Sequence, residues 1–318
     1  MSILILIQLF GTPFIATADQ SALIELGKTL YFENRLSVDN SISCNSCHNI
    51  LSRGNGADTT KSSLGFGGHQ TPRNSPTVWD AKFYSVLMWD GKVSHLAEQA
   101  GLPILEPFEM GFDSKEAVVT KIQKIKGYKK LFKKAFPKTK SPINFSNIKS
   151  AIGAFGETLV TGPSAFDRFL AGDKSAITPQ QIRGVKRFQE VGCTSCHSGK
   201  YFSGPEMIKG TGFYMKFPMF PKPEIEAKYK ISRDTGRMKV TKIPIDKNSW
   251  RVSSLRNVAV TPPYFHNGSA KTLKESVKVM ALTQLNVTLS EQDADDITAF
   301  LRSLTGEIPK IEKPILPQ

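Results

Sequence analysis

The spacing of apolar positions predicts a mainly α-helical chain. Leu23, Leu26, Leu30 and Tyr31 recur at helical intervals, which predicts an amphipathic helix over residues 19–34. Further helices are expected over residues 94–101, 114–135 and 146–160. Thr178, Pro179 and Gln181 form an N-terminal signature: a hydroxyl cap, Pro at the first helical position and an amide that can reach back to the cap. The helix they open runs to Glu190 and stops at Gly192. A last helix starts at Ser290, with Asp293 supporting its cap, and ends near Gly306. The stretches between are polar. Residues 49–78 are a long loop containing Gly65-Phe66-Gly67-Gly68-His69, and loops of that length inside a compact domain usually carry function. Residues 200–262, rich in Pro and Gly, read as loops with a short hairpin, and the Pro-rich tail 307–318 as extended chain.

A chain of 318 residues suggests two domains of ordinary size. The turn around Thr161-Gly162-Pro163 divides it into residues 19–162 and 163–306. Residues 3–15 are mostly apolar and lead to Ala16-Thr17-Ala18, so residues 1–18 read as an export signal peptide and the protein as periplasmic. The match lacks a positive start, because no Lys or Arg precedes Lys28; the alternative is a buried N-terminal segment. No run of eighteen apolar residues exists, which leaves out a classical spanning helix.

Charge changes the picture of partners. Lys and Arg total 42 against 28 Asp and Glu, a net +14, with Lys dense over residues 121–140. No nucleic-acid recognition motif accompanies the excess, so no nucleic-acid partner is expected, and the run reads as a solvated helix face. As a field it favours acidic partners and repels a strongly basic redox carrier.

The chemistry sits in the cysteines. All four fall in two C-x-x-C-H pentads, Cys44 to His48 and Cys193 to His197. The spacing suits covalent haem c: two thiols add to the two vinyl groups of one porphyrin, and the next histidine ligates its iron. A four-cysteine zinc site or two disulfides are the alternatives, but a zinc site does not need a histidine after both pairs. The pentads therefore predict two haem c groups, one per domain, with His48 and His197 as iron ligands. The occupant of the remaining axial position decides what each iron does: a strong ligand such as Met gives electron transfer, an open position gives substrate binding. The chain has eight Met, and for any one of them core packing is the ordinary role. The residues alone do not choose Met280 over Met207 or Met215. His69, in its glycine-flanked loop, is either an exposed side chain or an iron ligand. Glu109 would be an ordinary surface charge, yet peroxide cleavage needs a base that takes a proton and returns it to the departing oxygen, and a carboxylate beside an amide can do so.

Taken together, these residues resemble the bacterial di-haem cytochrome c peroxidase family from about residue 20 to residue 304. The markers, in order, include Arg35-Leu36-Ser37, Arg73-Asn74-Ser75-Pro76-Thr77, Trp89-Asp90-Gly91, Gln99-Ala100, Pro107-Phe108-Glu109-Met110, Phe166-Asp167-Arg168-Phe169, Ser254-Leu255-Arg256-Asn257 and Pro263-Tyr264-Phe265-His266-Asn267-Gly268. The resemblance implies two mostly helical, cytochrome-c-like domains with long loops. It implies reduction of hydrogen peroxide at the N-terminal haem, with electrons from a small cytochrome c or cupredoxin entering at the C-terminal haem. His48 would be the proximal ligand of the peroxide-reacting haem, His69 its distal ligand in the resting state, and Gln99 with Glu109 the pair that handles peroxide. Trp89 would lie between the haems, and His197 with Met280 would hold the electron-transfer iron. Asn74 and the carbonyls of Thr261 and Pro263 match a calcium site between the domains, and a homodimer is usual. Met280 favours the peroxidases over relatives that mature a tryptophan-derived quinone, which carry tyrosine there. Asp80 departs from the pattern, standing where Asn is common.

Overall fold

The structure is a computed structural model and describes residues 18–51 and 54–318. Apart from Ala18, the expected export segment lies outside the described residues. The first half contains α1 (Ala18–Tyr31), α2 (Cys44–Cys47), α3 (Leu96–Leu105), α4 (Lys115–Gln123), α5 (Lys126–Ala135) and α6 (Phe145–Gly156). The second contains α7 (Ala165–Leu170), α8 (Pro179–Glu190), α9 (Pro223–Tyr229), α10 (Met238–Thr241), α11 (Leu273–Leu285) and α12 (Glu291–Ser303). The fold is mainly helical, as the apolar spacing predicts. No helix among the described residues is long and apolar enough to cross a membrane.

Two hydrophobic cores organise the chain. Leu26, Leu30, Tyr128, Phe132, Ile148 and Phe155 are buried in the first, and Phe166, Phe188, Val279, Ile297, Phe300 and Leu301 in the second. Each core contains an unusually close helix crossing beside its pentad-preceding helix. On α1, a Cβ at Gly27 would stand 1.9 Å from the Ala151 carbonyl oxygen of α6. On α8, a Cβ at Gly184 would stand 1.9 Å from the Asp296 carbonyl oxygen of α12. A phenylalanine, Phe155 or Phe300, flanks each crossing. The helix preceding each pentad is thus set against its partner by a missing side chain. Backbone cannot yield as a flexible side chain does, so Gly27→Ala should destabilise the protein by about 1–3 kcal/mol. The urea unfolding midpoint measures this; an unchanged midpoint would mean that the crossing relaxes freely.

Several expected elements differ. Residues 114–135 form two helices, interrupted at Lys124 and Ile125, although Ile122, Ile125, Tyr128 and Phe132 keep helical spacing. The chain is extended at Ile125 (φ −89°, ψ 104°), and a distant residue caps the new helix: the Gln318 carbonyl accepts from the Gly127 N–H at 2.9 Å in the first turn of α5. The tail 307–318 has no regular structure but is not detached. Ile308, Ile311 and Leu316 pack against the first core, and the Pro317 carbonyl accepts from Arg35 Nη2 at 2.7 Å. The hairpin expected in residues 200–262 is a two-stranded antiparallel ladder, β1 (Tyr214–Lys216) with β2 (Ser249–Arg251), and α9 and α10 lie between its strands. Pro223 supplies the helix start there, in a stretch whose prolines and glycines otherwise read as loop.

Buried polar groups join the halves. Asp80 is buried in the left-handed region (φ 61°) and accepts from Thr161 N at 2.9 Å, Thr161 Oγ1 at 2.6 Å and Asn257 Nδ2 at 3.1 Å. Three donors on one carboxylate explain why Asp suits this position. Arg73 pairs with Asp90 at 2.6 Å and Asp234 at 2.8 Å, tying the loop before Pro76 to the second half.

Candidate functional site

The first pentad occupies a single helical turn. Ser43 caps α2, its N–H donating to Ser46 Oγ at 3.0 Å, and His48 follows directly. His48 Nδ1 lies 3.0 Å from the Pro76 carbonyl and 3.3 Å from that of Gly56, and the Tyr31 hydroxyl donates to the His48 carbonyl at 2.5 Å. With Nδ1 donating to carbonyls, Nε2 is left as the iron-binding atom, and burial lowers the imidazole pKa, favouring the neutral form that ligates. The second pentad is delivered by α8, whose capping box is the predicted one: Gln181 N donates to Thr178 Oγ1 at 3.2 Å and Thr178 N to Gln181 Oε1 at 2.8 Å. The helix ends at Val191 and the chain turns at Gly192 (φ 95°) into Cys193. His197 Nδ1 donates to the Phe202 carbonyl at 2.9 Å, and burial again lowers its pKa.

These arrangements fit haem c. All four cysteines are unpaired thiols, so neither disulfide forms. Burial pushes the Cys44 thiol up to about 12 and the Cys47 and Cys193 thiols to about 11, which keeps them as neutral thiols at ordinary pH. Among the described residues no three His, Cys, Asp or Glu side chains converge as a metal site, which removes the zinc alternative. A cavity of about 270 Å³ opens over the second pentad, lined by Cys193, Cys196, His197, Trp89, Met215 and Met280 among others. Met280 reaches it from α11 and Met215 from β1, whereas Met207 is an exposed side chain on a different cavity.

The remaining candidates are distributed unevenly. Glu109 lies in the turn after α3, where its N–H donates to the Glu106 carbonyl at 3.0 Å. It is close enough to Cys44 and Cys47 for its charge to act on both thiols. Burial, helped by the neighbouring Glu106 and opposed by Lys92, pushes its own pKa up to about 7. Gln99 is half-buried on α3, and no hydrogen bond joins it to Glu109 among the described residues. His69 is exposed, its ring set edge-on to Phe66 (5.2 Å) and Phe108 (6.4 Å). Its loop is tied to the Glu109 segment, because Phe66 N donates to the Glu109 carbonyl at 2.8 Å.

Trp89 packs against the second core although it precedes the expected boundary, and its Nε1 donates to the Asn74 carbonyl at 2.8 Å. Two residues on from Asn74, the Pro76 carbonyl holds His48, so one short segment touches both the first histidine and the wall of the second cavity. Asn74, Thr261 and Pro263 line that same cavity; Asn74 Nδ2 is committed to the Thr60 carbonyl at 3.1 Å, which leaves Oδ1 to face a cation. Sequence reasoning missed the Trp250–His266 stack (3.9 Å between centroids, 17°) and Arg251 on the cavity wall. His266 carried a signal, since it lies in the Pro263–Gly268 motif; Arg251 carried none.

The comparisons with known proteins agree with this architecture. The family model for di-haem cytochrome c peroxidase matches residues 21–175. The cytochrome c551 peroxidase of Pseudomonas aeruginosa is 42% identical over 293 residues, 92% of this chain and 81% of that protein. The cytochrome c551 peroxidase of Nitrosomonas europaea is 38% identical over 301 residues, 95% of this chain and 85% of that protein. Among solved structures, a MauG-like protein associated with microbial copper homeostasis superposes with a TM-score of 0.77 at 26% identity, covering 90% of each chain. With identity at this level running through both halves, the chain belongs to the di-haem cytochrome c peroxidase family.

Proposed function

We propose that this protein reduces hydrogen peroxide to water with electrons from a small redox protein, using the two haem c groups that its family implies. One observation carries the division of labour. A carboxyl tuned to about 7, Glu109, stands beside the first pentad, while no Asp or Glu lines the cavity over the second. Proton handling therefore belongs to the first site, and the second is an electron-transfer site.

Bound haem c supplies an iron that gains and loses single electrons and accepts an axial ligand where one position stays open. The chain's residues do the rest. His48 and His197 present Nε2, each oriented by a carbonyl on Nδ1. Met280, which lines the second cavity from α11, would with His197 hold the iron of the electron-transfer haem. At the first site the Glu109 carboxylate takes a proton from peroxide and returns it to the departing oxygen, so that water leaves rather than hydroxide. Gln99 orients the peroxide from α3. Trp89 couples the two sites through its bond to the Asn74 carbonyl. His69 closes the first site at rest, and Gly67 and Gly68, both at positive φ, let its loop change shape. Asn74 Oδ1 and the carbonyls of Thr261 and Pro263 form a neutral, all-oxygen set that suits Ca²⁺. The donor is a small cytochrome c or cupredoxin, and the net +14 favours an acidic one. A periplasmic homodimer is the setting in which we place it.

Optical and EPR spectra of the calcium-loaded protein, oxidised and then half-reduced, test this reading. One five-coordinate, high-spin ferric haem should appear on half-reduction and react with added peroxide. Two low-spin haems that stay inert throughout would make the protein an electron carrier and end the peroxidase reading.

A further inference from the structure

The cavity over the second pentad carries charge of one sign only. Its wall contains two arginines, Arg251 and Arg256, and no carboxylate. Arg256 is satisfied: its Nη1 and Nη2 reach Asp167 at 2.7 and 2.8 Å, and its Nε donates to the Lys200 carbonyl at 3.0 Å. Arg251 is not. Its Nε donates to the Met88 carbonyl at 3.1 Å, but Nη1 is buried and meets no acceptor among the described residues. The Tyr84 ring lies 4.9 Å from the guanidinium, which offers a face for the cation and no acceptor for the N–H. Burial lowers its pKa, and the phenols of Tyr84 and Tyr214 oppose that shift. A buried cation without a counter-charge is costly, and such groups are found paired.

The counter-charge can come from what fills the cavity. Haem c carries two propionate carboxylates, and a guanidinium fork matches a carboxylate in two parallel bonds. The geometry points to Arg251 as the residue that binds a propionate of the haem held by Cys193, Cys196 and His197. Arg251 also borders the neighbouring cavity of about 230 Å³, lined by Tyr84, Lys200, Tyr201 and Glu206, so an anion from solution is the competing occupant. The inference rests on the haem assignment at the second pentad and does not depend on peroxide chemistry. As a positioning residue, Arg251 sets the local field at that iron: its positive charge favours the reduced state.

Redox titration of the folded holoprotein, without peroxide, reads this directly once the pyridine haemochrome confirms two haems. Arg251→Gln should weaken electron uptake at one of the two haems by at least about tenfold, which is 59 mV for a one-electron couple. Arg251→Lys should recover most of that loss. Identical potentials in the parent and Arg251→Gln would overturn the inference. So would a parent potential that follows chloride or phosphate concentration in a way Arg251→Gln abolishes, because the occupant is then a solution anion. Should Arg251→Gln fail to fold, redox-difference infrared spectra of the unsubstituted protein with isotope-labelled arginine decide. A guanidinium band that shifts on reduction supports the pair, and its absence removes it. A potential shift in a protein inert to peroxide would uphold Arg251 while ending the peroxidase reading.

Discussion

Glu109→Gln should lower peroxide turnover by about 100- to 10,000-fold with both haems still attached, the usual loss when a positioned acid–base group is removed. Glutamine keeps the size of the side chain and the backbone bond from Phe66 to residue 109, but it can neither take nor return the proton. The wild-type pH profile should carry the same signature. With the carboxyl at about 7, activity that needs a carboxylate base rises through that pH, and this limb should vanish in the variant. Stability runs the other way. The folded protein keeps a proton at Glu109 that the unfolded chain, titrating near 4.5, has released, so folding loses stability as pH rises from about 4.5 to about 7. Glutamine removes that slope. Steady-state rates across pH, beside haem absorbance, check the kinetic part; near-normal turnover would take Glu109 out of the chemistry.

The second large effect belongs to the loop of residues 65–69. His69→Gly should make the fully oxidised protein react with peroxide as fast as the half-reduced one. If the closed loop outweighs the open one by about 99 to 1 in the oxidised parent, the reaction is held about 100-fold below its open rate, and removing the ligand removes that factor. Three of the loop's backbone bonds are internal, Gly65 N to the His69 carbonyl at 2.7 Å, Gly68 N to that of Gly65 at 3.1 Å and His69 N to that of Phe66 at 3.2 Å, and among the described residues its N–H groups reach other segments only at Asp39 Oδ2 (Gly67 N, 3.1 Å) and the Glu109 carbonyl (Phe66 N, 2.8 Å). Its bond to the Glu109 carbonyl links the loop to the segment that carries the base. Stopped-flow mixing of oxidised and half-reduced variant with peroxide measures the ratio. A variant that still requires reduction would mean that His69 is not the lock.

What the sequence reveals here depends on how local each cause is. The α8 signature and the two pentads could be read because capping and haem attachment are decided within a few neighbouring residues. The same holds for the helical content, which follows from apolar spacing. The break between α4 and α5 could not be read, because its cap arrives from residue 318. The side of the molecule to which Trp89 belongs was equally hidden. Its place in the second core is fixed by Asn74 and Arg251, neither of which is a sequence neighbour. Met280 and Met215 reach the same cavity from a helix and a strand, so their convergence is a property of packing alone. Arg251 is one of 42 Lys and Arg side chains, and only the lack of an acceptor at its buried Nη1 in three dimensions sets it apart.

The tail that crosses back onto the first core affects the order in which the protein can be assembled. Ribosomal synthesis makes the N-terminal half first, and domains generally fold as they emerge. Here the contacts that Ile311 and Leu316 add to its core, the Pro317 bond to Arg35 and the Gln318 cap on α5 form only after residue 318 has been made.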